Sequence, residues 1–326
     1  MQRVRAIRFN RTGGPEVLTW DEVTIGSPAA GQVQVKHTAV GLNFIDVYHR
    51  TGLYPVQPMP SGIGLEAAGV VEAVGEGVTE FAVGDRIAYG TGPIGAYSEM
   101  RNIAADKIVK IPEGIEDRTA AAIMLKGLTT QYLLRRTYRV KAGDTILVHA
   151  VAGGVGLLLC QWAKHLGATV IGTVGSTAKA ELARAHGCDH TILYRVTDVA
   201  KRTRELTGGA GVPVVYDGVG KDTFTASLDS LAPLGMMVSF GNASGPVGAI
   251  DPLLLSQKGS LFFTRPTLMH YTAKRDDLLA MSAELFDVVK SGVVKVETKT
   301  YRLFDAAHAH RDLEGRKTTG SSVLIP

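Results

Sequence analysis

The stretch Thr145-Ile146-Leu147-Val148-His149-Ala150-Val151-Ala152-Gly153-Gly154-Val155-Gly156 decides the fold. Its first half is an apolar run of strand length, which predicts a buried strand over 145–149. Glycines then crowd the turn, and an apolar helix is expected over 155–166, stopped by Gly167. Strand, glycine loop and helix in this order make a phosphate loop. Glycine lets the backbone approach a pyrophosphate, and the helix N-terminus turns N–H groups toward an anion. Alone, a glycine cluster could equally be a tight turn, so the surrounding rhythm matters. Strands are expected over 169–174, 191–194, 213–216 and 237–240, alternating with helices over 178–186, 199–206 and 224–231. Gly187 and Gly208 follow two of those helices. Such alternation with continuously apolar strands predicts a parallel, doubly wound Rossmann sheet covered on both faces. The repeat is interrupted after six strands and no second nucleotide loop follows, which favours NAD(P) over a flavin.

The tip of the second strand selects between the two nicotinamide cofactors. An NAD site usually has an acid about 20 residues past the glycines, to accept from the ribose 2′-hydroxyl. Here the strand ends Thr173-Val174-Gly175-Ser176-Thr177-Ala178-Lys179, with no acid at its tip and a lysine within reach of a 2′-phosphate. NADPH is therefore expected, with Gly153, Gly154, Val155, Gly175, Ser176 and Lys179 holding it. Phe240-Gly241-Asn242 closes a later strand at the carboxyl edge of the sheet, where ligands of such folds bind.

Outward from this core the pattern changes. The first third carries short strand-like runs over 4–9, 32–39, 67–74 and 86–89, separated by glycine and proline turns, which suggests a compact β-barrel-like domain. After about 267 a helix over 277–290 is expected, with Leu278, Met281, Leu285 and Val288 on one face. Strands over 298–302 and 322–325 bracket a further helix around 304–313. This tail is too small to fold alone and is expected to complete the first domain, giving 1–125 with 267–326 as one domain and 126–266 as the dinucleotide domain. A chain of 326 residues is long enough for two cores. A net charge of +4, spread along the chain, argues against a nucleic-acid protein, and Leu134-Arg135-Arg136 reads as helix surface. Two cysteines without ligand-like spacing exclude a disulfide scaffold and a four-cysteine zinc lobe. No long apolar segment follows Met1, and the most apolar window is punctuated by glycine, so a cytoplasmic protein without membrane spans is expected. His308 and His310 read as a solvated helix face.

On these residues the chain resembles the medium-chain dehydrogenase/reductase superfamily, in its zinc-free quinone reductase, or zeta-crystallin-like, branch. The resemblance runs over essentially the whole length. It is carried by Gly13-Gly14-Pro15-Glu16-Val17-Leu18, Gly41-Leu42-Asn43-Phe44-Ile45-Asp46, Gly52-Leu53-Tyr54-Pro55, Gly64-Leu65-Glu66-Ala67-Ala68-Gly69, Gly95-Ala96-Tyr97, Leu125-Lys126-Gly127-Leu128-Thr129, Val215-Tyr216-Asp217, Ser239-Phe240-Gly241-Asn242, Thr264-Arg265-Pro266 and the C-terminal Gly320–Pro326 segment. It implies an α/β protein with a GroES-like catalytic domain built from both termini, a Rossmann insertion and a homodimer. Val151 departs from it, since that loop position is usually small.

The resemblance also implies what is missing. Zinc-dependent relatives place cysteine where this chain has Asn43 and histidine where it has Leu65. Neither residue supplies the thiolate or imidazole of tetrahedral zinc, so no metal is expected and Glu66 reads as a structural hydrogen-bonding residue. Without a Lewis acid, the implied reaction is hydride reduction of an acceptor that is already electrophilic, a quinone or conjugated carbonyl. By resemblance Asn43, Asp46, Tyr48, Tyr54 and Arg265 surround the cleft, with the tyrosines either donating to the acceptor oxygen or only closing the cleft around it. Lys126 and Thr130 lie beside the nicotinamide, and Tyr194 and Arg316 at the adenosine end. The rival readings are a reductase of alkenal or enone double bonds on the same scaffold, and a non-catalytic crystallin-like or RNA-binding role.

Overall fold

The computed structural model describes residues 1–326. The chain divides into two units, the first comprising Met1–Leu128, Tyr271–Lys290 and Val296–Pro326, the second Thr129–His270 and Ser291–Lys295.

The first unit opens with strands β1 (Gln2–Phe9), β2 (Thr19–Ile25) and β3 (Gln32–Leu42), then helix α1 (Phe44–Thr51). Strands β4 (Ser61–Gly62), β5 (Glu66–Val74), β6 (Arg86–Tyr89), β7 (Met100–Ala104) and β8 (Val109–Lys110) precede helix α2 (Asp117–Tyr132). A three-stranded sheet, β2-β1-β4, and a seven-stranded sheet share a core that includes Ile7, Phe9, Val35, Leu42, Ile63, Ile87 and Tyr97. The sequence pattern marks neither helix. From Ala120 onward α2 is buried on nearly every side, Lys126, Thr129, Thr130 and Gln131 included, so its polar residues do not mark out one solvent face by which periodicity could find it.

The second unit is the expected alternation. Strand β9 (Thr145–Val148), helix α3 (Gly154–His165), β10 (Thr169–Val174), α4 (Thr177–Ala185), β11 (His190–Leu193), α5 (Val199–Leu206), β12 (Val212–Asp217), α6 (Phe224–Ser230), β13 (Leu231–Ser239), α7 (Pro252–Gln257) and β14 (Phe262–Thr264) follow in turn. The six strands are all parallel, in the order β11-β10-β9-β12-β13-β14. That order reverses between β9 and β12, the place where doubly wound sheets bind nucleotides at their carboxyl ends. Strand β13 starts six residues before the expected strand and ends at Ser239, so Phe240 stands just beyond it.

The tail adds α8 (Leu268–Tyr271), α9 (Arg275–Lys290), β15 (Thr298–Arg302), α10 (Ala306–Glu314) and β16 (Ser321–Ile325). In α9, Leu278, Met281 and Leu285 are buried, as their spacing requires. Strand β16 lies parallel to β15 and antiparallel to β3, with Val323 opposite Gly41, so the C-terminus completes the first unit's larger sheet. One expectation fails here. His308 is exposed, but His310 is fully buried, because Tyr97 takes its Nε2 atom into the core at 3.2 Å.

Candidate active site

In the first unit, the end of β3, the start of β5 and the middle of α2 bring Asn43, Glu66 and Lys126 together. Glu66 is completely buried and accepts three hydrogen bonds: from Asn43 Nδ2 at 2.8 Å, from Lys126 Nζ at 2.8 Å and from the Leu125 N–H at 2.7 Å. The ammonium of Lys126, itself only 6% exposed, offsets the carboxylate at contact distance. A buried charge persists only when paired and hydrogen-bonded in this way. Gly41 makes the approach possible, since any side chain there would overlap Glu66 Oε2.

Asp46 ties this group to the core. Its Oδ2 accepts from the Asn43 N–H at 2.9 Å, half of a capping box at the start of α1, and from the Tyr97 hydroxyl at 2.9 Å. Because Tyr97 donates its one proton to Asp46, the His310 Nε2–H must donate to the Tyr97 oxygen. Burial keeps His310 neutral, with its pKa lowered to about 3. Burial acts oppositely on Asp46, pushing it up to about 7 against the pull of the Asn43 and Tyr97 hydrogen bonds; its Oδ1 is buried with no partner. Tyr97 and His310 do not stand out as site residues in the sequence. They lie 51 and 264 positions from Asp46 along the chain, and no local pattern links such distant side chains.

Tyr48, on α1, and Tyr54, just past it, meet edge to face with ring centroids 5.2 Å apart; Tyr48 is buried and Tyr54 half-buried. In the second unit, exposed Arg265 donates from Nη1 to the Ser239 carbonyl at 2.8 Å, which places it at the carboxyl end of β13. Thr130 is buried in this unit near the end of α2. Arg316, at the end of α10 in the first unit, is exposed and holds a left-handed φ of 57°.

The glycine loop joins β9 to α3, the strand–turn–helix form that the sequence predicts. Gly153 is the N-cap of α3 and offers no side chain to the helix's first N–H groups. At Gly156 a Cβ would lie 2.6 Å from the Ala150 carbonyl. Val151, the odd residue of the loop, is buried; its side chain fills the space left by Gly172 on β10, where a Cβ would overlap it. At the tip of β10, Gly175 brings the backbone against Tyr194, whose hydroxyl would be 2.8 Å from a Cβ there. Ser176 caps α4 by accepting from the Lys179 N–H. A dinucleotide fits this surface: an uncapped helix N-terminus for a pyrophosphate, and a strand tip with Lys179 close by and no carboxylate. Nearby, Gly241 packs so closely on Gly218 that a side chain would overlap the Gly218 carbonyl, and the Phe240 N–H donates to the Asp217 carbonyl at 2.8 Å. No cluster of three or more histidine, cysteine, aspartate or glutamate side chains with metal-binding geometry exists.

Two family models match: the alcohol dehydrogenase GroES-like domain over residues 29–113 and the zinc-binding dehydrogenase domain over residues 154–284. The chain is 55% identical to the quinone oxidoreductase of Pseudomonas aeruginosa, covering 99% of both proteins. It is 49% identical to the 2-haloacrylate reductase of a Burkholderia species, again over 99% of each. The crystal structure of Escherichia coli quinone oxidoreductase complexed with NADPH superimposes with a TM-score of 0.97 at 51% identity, covering 99% of this chain and 100% of that one. Together with a sheet order, glycine loop and Asn43–Glu66–Lys126 cluster seen directly in the structure, these likenesses settle the lineage: the chain belongs to the quinone oxidoreductase branch of the medium-chain dehydrogenase/reductase superfamily.

Proposed function

We propose that this chain is an NADPH-dependent, zinc-independent quinone reductase. The observation that carries the reading is the Asn43–Glu66–Lys126 cluster. The carboxylate that would serve a metal is already neutralised by an ammonium at 2.8 Å, and its neighbours are an amide and a leucine instead of a thiolate and an imidazole. Such a site suits an acceptor that needs no Lewis acid. The E. coli relative bound to NADPH and the P. aeruginosa quinone oxidoreductase support the same cofactor and acceptor class here.

When bound, NADPH supplies the hydride. In the second unit, Gly153, Gly154 and Val155 would hold the pyrophosphate. Gly175, Ser176, Lys179 and Tyr194 would hold the adenosine ribose and its 2′-phosphate, and Thr130, Phe240, Gly241 and Asn242 the nicotinamide end. The family resemblance assigns Asn43 and Lys126 to the nicotinamide and Arg316 to the 2′-phosphate. Tyr48 and Tyr54 present phenol groups that can donate to an acceptor oxygen as it gains charge, and Arg265 can compensate that charge. Asp46 holds the Asn43 backbone through the capping bond. A homodimer, implied by the family resemblance, and a cytoplasmic location complete the reading; no helix is long and apolar enough to cross a membrane.

The decisive assay follows NADPH absorbance with 1,2-naphthoquinone, 1,4-benzoquinone and a 2-alkenal in parallel. Turnover of quinones is expected; turnover of the alkenal alone would move the enzyme to the double-bond reductases, a reading that the 2-haloacrylate reductase relative favours. Turnover of neither, with NADPH bound, would leave the crystallin-like or RNA-binding role. Lys179→Ala is expected to raise the KM for NADPH about tenfold while leaving the KM for NADH unchanged, as loss of one charge-assisted hydrogen bond predicts. Equal losses with both cofactors would contradict the assignment of Lys179.

A further inference from the structure

A chain of buried hydrogen bonds runs beneath the phosphate loop, and its proton directions can be derived. Asp217, at the end of β12, is fully buried; its oxygens face the Val219 N–H at 2.8 Å, the Gly220 N–H at 3.0 Å, and the hydroxyls of Thr223 and Ser227 at 2.7 Å each. With donors on every side it only accepts, so the Ser227 hydroxyl gives its proton to Asp217. The Ser227 oxygen, 3.0 Å from His149 Nε2, must then accept from that nitrogen. His149 is therefore the Nε2–H tautomer, and its Nδ1 accepts from the Thr173 hydroxyl at 3.1 Å. The Thr173 oxygen accepts in turn from the Ala150 N–H at 3.1 Å. His149, Thr173, Ser227 and Asp217 are each at most 3% exposed. Burial holds the His149 imidazole below its ordinary pKa, against the Asp217 charge, so it stays neutral.

The chain ends on a backbone held out of its preferred conformation. Ala150 has a left-handed φ of 53°, which a residue with a Cβ adopts only at an energetic cost. Its carbonyl accepts from the Gly153 N–H at 2.9 Å, setting where α3 begins. At the other end, the loop gathered by Asp217 packs on the segment after β13: Gly220 lies so close to Gly245 that a Cβ would come within 2.5 Å of its carbonyl. One directional chain thus spans the phosphate loop and the Gly241–Asn242 segment.

We propose that Thr173 and His149 are positioning residues for cofactor binding, fixing the left-handed turn at Ala150 so that the N–H groups opening α3 converge on the pyrophosphate. The proposal rests on the NADPH reading above. Its test is Thr173→Val, which keeps the shape of the side chain and removes the hydroxyl, with Thr173→Ser as the conservative control. Dissociation constants for NADPH and NADH come from fluorescence titration, and kcat from saturating NADPH with a quinone. Thr173→Val is expected to weaken both cofactors about five- to tenfold, one buried hydrogen bond's worth, with kcat within about twofold and Thr173→Ser close to wild type. Ser227→Ala, farther along the chain, is expected to shift affinity in the same direction by less, and carries the test if Thr173→Val does not fold. Unchanged affinity in Thr173→Val or, where that variant does not fold, in Ser227→Ala, a loss that Thr173→Ser does not restore, or a fall in kcat at unchanged affinity would overturn the proposal. Failure of the wild-type protein to bind NADPH would instead overturn the cofactor reading.

Discussion

Both units bury a carboxylate completely, and they stabilise it in opposite ways. Glu66 is held by a cation, an amide and one backbone N–H. Asp217 is held by two backbone N–H groups and two hydroxyls, with no cation among them. The first arrangement depends on one partner, because removing the ammonium strands a charge in a low-dielectric interior. The second is distributed, and its hydroxyls can turn round. A buried carboxylate in the catalytic unit is thus brittle, while that in the dinucleotide unit is adaptable.

Removing the cation should have the largest effect. Lys126→Met is expected to cost about 3–5 kcal/mol of stability, measured by denaturant unfolding, and Glu66→Gln added to it should recover at least half. A loss under about 1 kcal/mol would break the contrast. The corresponding change in the other unit should be milder. Asp217→Asn can keep the two N–H donors on its oxygen while its amide points at Ser227 and Thr223. Ser227 would then donate to His149, reversing the hydrogen-bond chain, for a cost of about 1–2 kcal/mol. The imidazole nitrogen shifts of His149 would report that change of tautomer, and an unchanged Nε2–H form would rule the reversal out.

Asp46 sharpens the comparison from a third side, having two donors on one oxygen and none on the other. In the folded protein it keeps its proton up to about pH 7, whereas the unfolded chain loses it near pH 4. Between these values the folded state binds the extra proton, so this group's contribution to stability falls as pH rises, by about 1 kcal/mol from pH 6 to 7. Buried His37 and His310, lowered to about 4 and 3, act oppositely: they cost stability as pH falls below about 6.5, where only the unfolded imidazoles are protonated. The Asp46 contribution is therefore read as the difference between wild type and Asp46→Asn in unfolding free energy at each pH. Parallel curves would refute it.

What the sequence disclosed follows from the range of each interaction. The parallel sheet was legible because each strand carries its own apolar run, and the phosphate loop because its glycines are consecutive. The lack of an acid after Val174 was equally local. Asn43 and Lys126 entered through family resemblance, since nothing around either residue marks it as paired with Glu66. The chain under the loop stayed hidden for the same reason: His149 meets Thr173 and Ser227 across 24 and 78 positions. His310 misled because a histidine two residues from exposed His308 reads as helix surface, while its partner Tyr97 lies 213 positions away. Helix α2 escaped because its burial leaves no one solvent face to define a period.

The fit of Val151 into the space beside Gly172 also constrains how this sequence can change. A methyl group on residue 172 would collide with Val151 and crowd the Cys188 sulfur, so in this background Gly172→Ala is a forbidden step. Shrinking Val151 to alanine does not open that step, because the Cβ of residue 151 and the Cys188 sulfur would each still lie 2.8 Å from the new methyl. The loop and β10 therefore hold residue 172 to glycine whichever side chain, valine or alanine, stands at position 151. A library randomising both should return glycine at position 172 beside any residue at position 151 that carries a Cβ.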